Sequence, residues 1–207
     1  AFPADLQSLD GGGDQWVGAD TDSYDDEIDR ENELISELLG LAKIEQKAVP
    51  MNISEVDINA LTERILKRIR PLAHKRDIEM MLVSERDVTA YVDEVKITMI
   101  ITNLVDNAVK YNRDHGKVEV VINSDHRNFT ITVKDTGSGI PAGALPRIYE
   151  RFYRVDKARS REMGGNGLGL SIATEILRIH GGKISVESAV GVGTKFIVEL
   201  KRQLKST

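Results

Sequence analysis

Three short stretches carry the residues from which chemistry could be built. In the first, Asn103-Leu-Val-Asp106-Asn107-Ala-Val-Lys110-Tyr111, polar residues recur three and four positions apart. On a helix that spacing lines Asn103, Asp106, Asn107 and Lys110 along one stripe. Carboxamides, a carboxylate and a lysine beside an apolar face suit a magnesium ion and the oxygens of a polyphosphate, because Mg2+ prefers hard oxygen ligands and lysine offsets phosphate charge. Taken alone, the stripe reads better as a solvated helix face.

The second stretch, Asp135-Thr-Gly137-Ser-Gly139-Ile140-Pro141, follows the alternation Phe129, Ile131, Val133. A carboxylate at a strand end can accept a hydrogen bond from an exocyclic amine such as that of adenine, and the two glycines allow a backbone approach that a Cβ would block. An ordinary Asp-Gly turn is the plain alternative. The third stretch, Gly164-Gly165-Asn166-Gly167-Leu168-Gly169-Leu170-Ser171, is glycine-rich and opens a helical pattern. Free amides and the positive end of the helix dipole make such a junction an anion site. It lacks the Gly-Lys-Ser/Thr ending of a P-loop, and no strand precedes it as a dinucleotide fingerprint requires. The charged segment from Arg154 to Met163 suggests a mobile lid.

The elements that must hold these stretches can be laid out from apolar periodicity. A helix is expected from Val56 to about Lys75, then strands over 78–83 and 88–92. Asp93 should cap a helix to about Tyr111 that buries Ile97, Ile100, Ile101, Leu104 and Ala108. Strands follow around Val118 to Ile122 and Phe129 to Val133, a helix from about Leu168 to His180, and strands over 183–187 and 194–200. Hairpin-length gaps between strands predict an α+β fold, a mixed or antiparallel sheet with helices on one face.

Before Ala48-Val49-Pro50, which should break a helix, residues 25–47 carry Ile28, Ile35 and Ala42 at intervals of seven, flanked by Leu34, Leu38 and Leu41. That stripe calls for a partner helix or a second chain, with packing on its own domain as the plainer alternative. Residues 1–24 are acidic, contain Gly11-Gly12-Gly13 and read as a linker, tag or unstructured lead-in. A calcium loop around Asp20 to Glu31 is set aside, since Tyr24 occupies a ligand position and Asp25 the turn-glycine position.

The 207-residue chain is 41% hydrophobic and 29% charged, enough for one domain with an appendage. Its net charge of −5 is uneven: nine acids precede Arg30, leaving 24 acids against 28 Lys plus Arg. That mild basic balance suits an anionic ligand and is too dispersed for nucleic acid. No stretch approaches the roughly eighteen uninterrupted apolar residues of a membrane span, and the N-terminus lacks the order of a secretory signal. Zero cysteines fit a reducing compartment, so a cytoplasmic setting is expected, with a membrane-anchored parent left open.

In this order, and joined by Glu150-Arg-Phe152-Tyr153-Arg154, the three stretches resemble the ATP-binding catalytic domain of sensor histidine kinases, in the ATPase superfamily of DNA gyrase, a heat-shock chaperone and MutL. The resemblance covers about residues 52–201. It matches an N box (Asn103 to Tyr111), two glycine boxes (Asp135 to Gly139, Gly165 to Gly169), an F box (Tyr149 to Arg154) and a last glycine turn, Gly191-Val-Gly193-Thr194. It implies a two-layer sandwich of the Bergerat type, ATP and Mg2+ as ligands, and a response regulator receiver domain as partner.

By the same resemblance, Asn107 with Asn103 ligates Mg2+, and Lys110 and Arg154 meet phosphate. Asp135 reads the adenine amine, with Thr194 supporting that end and Tyr111 lying along the nucleoside. Gly165, Gly167 and Gly169 let the lid fold, and Asp106 is a general base or orients Lys110. Gly137, Gly139, Ile140, Tyr153 and Leu168 complete the nucleotide site, and Phe152 anchors the lid in an apolar pocket. Residues 25–47 resemble the second helix of a dimerisation and phosphotransfer hairpin, implying a homodimer and a histidine-bearing first helix. His74, His115, His126 and His180 all lack the setting of a phosphoacceptor. The alternatives are a nucleotide-driven clamp of the gyrase, chaperone or MutL kind, or a module that holds ATP without transfer.

Overall fold

The computed structural model describes residues 50–156 and 166–203. The expected hairpin helix over 25–47, the lead-in over 1–24, residues 157–163 of the expected lid and Gly165 lie outside the described residues.

Two helices leave one small ribbon. Strand β1 (Ile53–Asp57) pairs antiparallel with β3 (Thr89–Asp93). The aspartate that ends each strand caps the helix that follows. The Asp57 carboxylate accepts from Ala60 N (2.9 Å) at the start of α1 (Ile58–His74), and Asp93 accepts from Lys96 N (3.1 Å) at the start of α2 (Glu94–Lys110). Each bond satisfies a helix amide that has no partner within its own turn. The Asp93 cap was legible in the sequence. Strand β1 was not, because among its five residues only Val56 is buried.

The main sheet has the order β2-β4-β5-β7-β6, built from Glu79–Ser84 (β2), Lys117–Ser124 (β4), Asn128–Asp135 (β5), Lys183–Ala189 (β6) and Gly193–Lys201 (β7). Its β2–β4 pair is parallel and the others antiparallel, so the sheet is mixed as expected. The runs over 78–83 and 88–92 are not partners in one sheet: β2 joins the main sheet, whereas β3 joins β1 in the ribbon.

Period-two burial gives the sheet one apolar face, with Val118, Val120 and Ile122 of β4, Phe129, Ile131 and Val133 of β5, and Phe196, Val198 and Leu200 of β7 all at 5% exposure or less. On that face α2 lies between α1 and α3 (Gly169–Ile179). Its stripe Ile97, Ile100, Ile101, Leu104 and Val105 is buried almost completely. At about 2 kcal/mol for each such side chain, this stripe fixes the rotation of α2 and so the direction of its polar side.

The C-terminal end of α3 is tied back to the start of α2. His180, fully buried, has Nδ1 2.9 Å from Ile176 O, and its Nε2 lies 3.4 Å from the donating Asp93 N. Burial pushes this histidine below its ordinary pKa, so it packs as a neutral ring. Burial also pushes the Asp93 carboxyl upward, but hydrogen bonds from the Lys96 side chain (2.6 Å), Lys96 N and Asn52 N outweigh it and hold Asp93 below the carboxylate range.

Candidate functional site

With its apolar stripe against the sheet, α2 keeps Asn103, Asp106, Asn107 and Lys110 half-buried along its other side, as their spacing predicts. Lys110 Nζ lies 2.7 Å from Asp106 Oδ2 in an i, i+4 ion pair, both side chains about 30% exposed. The start of α3 comes against this stripe. A Cβ on Gly169 would sit 3.1 Å from Asn103 Oδ1, so a larger residue there would press on the amide. Sequence separation therefore hides a real neighbourhood between the first and third stretches.

At the other end of α2 the chain turns sharply, and residues with no marked spacing hold the turn. Arg76, from the loop after α1, donates from Nη1 to Val109 O and Lys110 O (3.0 and 3.1 Å) and from Nη2 to Asn112 O (2.7 Å). One guanidinium thus satisfies carbonyls that a helix C-terminus leaves without partners. Asn112 is fully buried; its Nδ2 donates to Lys117 O (3.0 Å), and its Oδ1 accepts from Arg113 N and Thr136 Oγ1. This knot joins α2 to the second stretch, where Ser138 N donates to Tyr111 O (3.1 Å).

In that second stretch Asp135 ends β5 at 9% exposure. Its Oδ1 accepts from Gly137 N (2.7 Å) and Thr194 N (3.3 Å). Burial pushes the carboxyl up to about 6, although both amide bonds act to lower it. The glycines here answer to contact. A Cβ at Gly137 would lie 2.4 Å from Tyr111 O, and one at Gly139, whose φ is +69°, would lie 2.0 Å from Ala189 O. Ile140 N donates to Ser188 Oγ (2.8 Å), fastening the loop to β6. Thr194 is buried beside Asp135 on the neighbouring strand β7.

Around the F box, Phe152 adopts φ +61° and its N donates to Gly167 O (2.9 Å). The Phe152 side chain is half exposed instead of seated in an apolar pocket, because the link to the third stretch runs through backbone. Leu168 is fully buried in the core. Tyr153 lies under the Arg147 guanidinium, 4.3 Å from ring centroid to Cζ, a cation–π stack. Arg154 has Nε and Nη2 buried without a hydrogen-bond partner among the described residues. Buried cationic nitrogens in that condition are costly unless acceptor oxygens meet them, and phosphate supplies such oxygens.

The pieces thus comprise an amide-and-lysine face, a buried carboxylate among glycines, a backbone link from Phe152 to the start of α3, and an arginine with two unsatisfied nitrogens. A sequence profile of the family described as histidine kinase-, DNA gyrase B- and HSP90-like ATPase matches residues 92–204, and the chain belongs to that family. Within it, the similarity runs to sensor histidine kinases. The sensor protein kinase WalK of Staphylococcus epidermidis is 36% identical over 177 residues, 84% of this chain and 29% of that protein. A WalK of Staphylococcus aureus is 34% identical over the same length, 42% of that protein. The chain thus spans well under half of these relatives. Among solved structures, the catalytic domain of histidine kinase ThkA aligns with a TM-score of 0.67 at 25% identity, over 75% of this chain and 99% of that one. Full-length ShkA in complex with AMPPNP aligns at 0.78 and 27%, over 90% of this chain and 40% of that one. The mixed sheet with helices on one face is the fold expected from the resemblance.

Among the described residues no helix is long and apolar enough to cross a membrane. Arg76, Asn112, Thr136 and Ser188 went unrecognised in the sequence. They are single polar residues in turns or at a strand end, and only packing shows what they hold.

Proposed function

We propose that the chain binds Mg·ATP at this site and donates the γ-phosphate to a histidine on a separate helix, for relay to an aspartate of a response regulator receiver domain. The observation that carries the reading is the pairing of two unlike groups in one fold: a buried carboxylate held by backbone amides, and the Arg154 guanidinium, two of whose nitrogens, Nε and Nη2, are buried without acceptors. The first suits an exocyclic amine and the second a phosphate.

In this reading Asp135 accepts from the adenine amine, Thr194 supports that end, and Gly137, Gly139 and Ile140 give the base close backbone approach. Tyr111 and Tyr153 flank the nucleoside. Lys110 and Arg154 draw off phosphate charge, Gly165, Gly167 and Gly169 let the lid fold over the phosphates, and Leu168 completes the nucleotide site at the start of α3. Asn103 and Asn107 offer neutral carboxamide oxygens of the hard kind Mg2+ takes. When bound, the ion would neutralise charge on the polyphosphate. Asp106, ion-paired to Lys110, orients that lysine or serves as a general base. Phosphoryl transfer asks chiefly for alignment and charge stabilisation, which these side chains supply. Residues 25–47 act as one helix of a dimerisation hairpin, and the setting is cytoplasmic.

Calorimetry with a non-hydrolysable ATP analogue, with and without Mg2+, tests the site. Saturable binding that is lost or strongly weakened in Asn107→Ala and Asp135→Asn supports it, and labelled phosphate appearing on a supplied histidine-bearing hairpin supports the transfer. Absence of binding by the unmodified chain overturns the reading.

A further inference from the structure

Across three adjacent strands, side chains at one level fall into a row on the helix-covered face. Register pairs Ser188 of β6 with Thr194 of β7, and continuing the Lys134–Lys195 pair of β5 and β7 by one residue sets Asp135 beside Thr194. In an antiparallel pair such neighbours point to the same face. The hydrogen bonds agree with the row. Ser188 Oγ lies 2.9 Å from Thr194 Oγ1 and 3.0 Å from Gly193 O, and it accepts from Ile140 N at 2.8 Å.

A serine hydroxyl has one proton to give. The Ile140 amide is necessarily a donor, so it occupies one lone pair of Ser188. Spending the Ser188 proton on the Gly193 carbonyl leaves its other lone pair for the Thr194 hydroxyl. Thr194 then gives its own proton to Ser188 and keeps only lone pairs for anything beyond. Next to it stands Asp135, whose Oδ1 takes Gly137 N and Thr194 N and whose Oδ2 is a bare acceptor when ionised.

We infer that Ser188 is a positioning residue for base specificity: by holding the Thr194 hydroxyl as an acceptor, it makes the Asp135–Thr194 edge acceptor-only, favouring a purine with an amine at C6 and rejecting one with a carbonyl at that carbon. The inference rests on the proposed nucleotide site. Without Ser188 the Thr194 hydroxyl is free to rotate and donate to a carbonyl oxygen, so the edge loses its one-sided polarity. Discrimination of this kind comes from leaving a wrong partner unpaired.

The test is calorimetry of the whole chain with non-hydrolysable analogues of ATP and GTP in Mg2+, for the unmodified protein and for Ser188→Ala, Ser188→Thr, Thr194→Val and the double variant Ser188→Ala/Thr194→Val. Circular dichroism melts verify folding of each. The preference for the adenine analogue should fall about tenfold in Ser188→Ala and be largely restored by Ser188→Thr, which keeps the hydroxyl. Because both residues act through one hydroxyl, the double variant should discriminate no worse than Thr194→Val. A folded Ser188→Ala that keeps full discrimination overturns the inference and leaves the nucleotide site intact. If the unmodified chain binds both analogues equally, the reading of Asp135 as the base reader fails first.

Discussion

At Asp135 a carboxylate oxygen is held by two backbone amides among glycines that no Cβ could replace, whereas at Lys110 a partly exposed amine is held by one side chain a helical turn away. The first region is set by strand register and backbone contact, the second by rotamers. A rigid, buried edge costs no ordering when a flat base arrives, so it can carry specificity. A partly exposed amine over a half-open face suits a polyphosphate, whose charge is large and whose geometry varies. Under the proposed function the site joins a pre-formed reader to an adjustable charge clamp, and the Arg76–Asn112–Thr136 knot ties the end of α2 to the loop after β5.

The largest break expected is in the rigid half. Gly193 has φ +135°, and a Cβ on it would fall 2.0 Å from Asp135 O. Gly193→Ala should destabilise the domain by about 3 kcal/mol, through strain and through a clash that only backbone movement relieves. Gly191, two residues earlier with φ +77°, has open space around its Cβ direction. Gly191→Ala should cost only about 1 kcal/mol, the conformational part alone. Chemical denaturation of both compares them, and equal losses would show that contact with Asp135 is not what constrains this turn.

Next in size, Asp135→Asn should weaken nucleotide binding about a hundredfold, since the amide can still accept from Gly137 N but places an NH2 donor toward another donor. Calorimetry measures it. A loss smaller than that of Lys110→Met would invert the comparison.

The same carboxylate should carry a stability signature of opposite sign. Its folded pKa is raised, to about 6, so between the ordinary carboxylate range and about pH 6 the folded state holds a proton that the unfolded state has lost. The stability this contributes is fully present below the ordinary value and is lost as pH rises through about 6. Asp135→Asn should therefore melt higher than the unmodified protein at pH 7.5, by on the order of 1 to 3 kcal/mol, with the gap closing toward pH 4. Melts across that range decide it: a gap independent of pH would mean that ionisation of Asp135 costs the fold nothing.

The two regions also differ in how far the sequence exposed them. Asn103 to Lys110 declared itself by helical spacing, and Asp135 by standing at the end of an alternation and before glycines. Helix and strand positions followed from periodicity because one face of each is buried. What stayed hidden depends on packing between distant segments. Strand β1 carries one buried residue and so no period, and the assignment of β3 to a ribbon instead of to β2 is a matter of tertiary choice. Arg76 caps carbonyls more than thirty positions away, and Ser188 matters only once β6 is laid beside β7 in register. Arg154 could be named in advance as a phosphate partner, but its burial without acceptors could not.

The smallest effect belongs to the adjustable half, and it separates the halves by mechanism. Lys110 is about 28% exposed and already paired with Asp106, so part of its charge is spent before a ligand arrives and water screens the rest. Lys110→Met should lower affinity for the ATP analogue about fivefold at low salt, and the loss should shrink as salt is raised. Asp106→Asn frees the lysine and should bring a slight gain at low salt. The Asp135→Asn defect sits in a buried edge and should hold nearly constant over the same titration. Salt dependence shared by both defects would mean that the base end, too, works by long-range charge and not by contact.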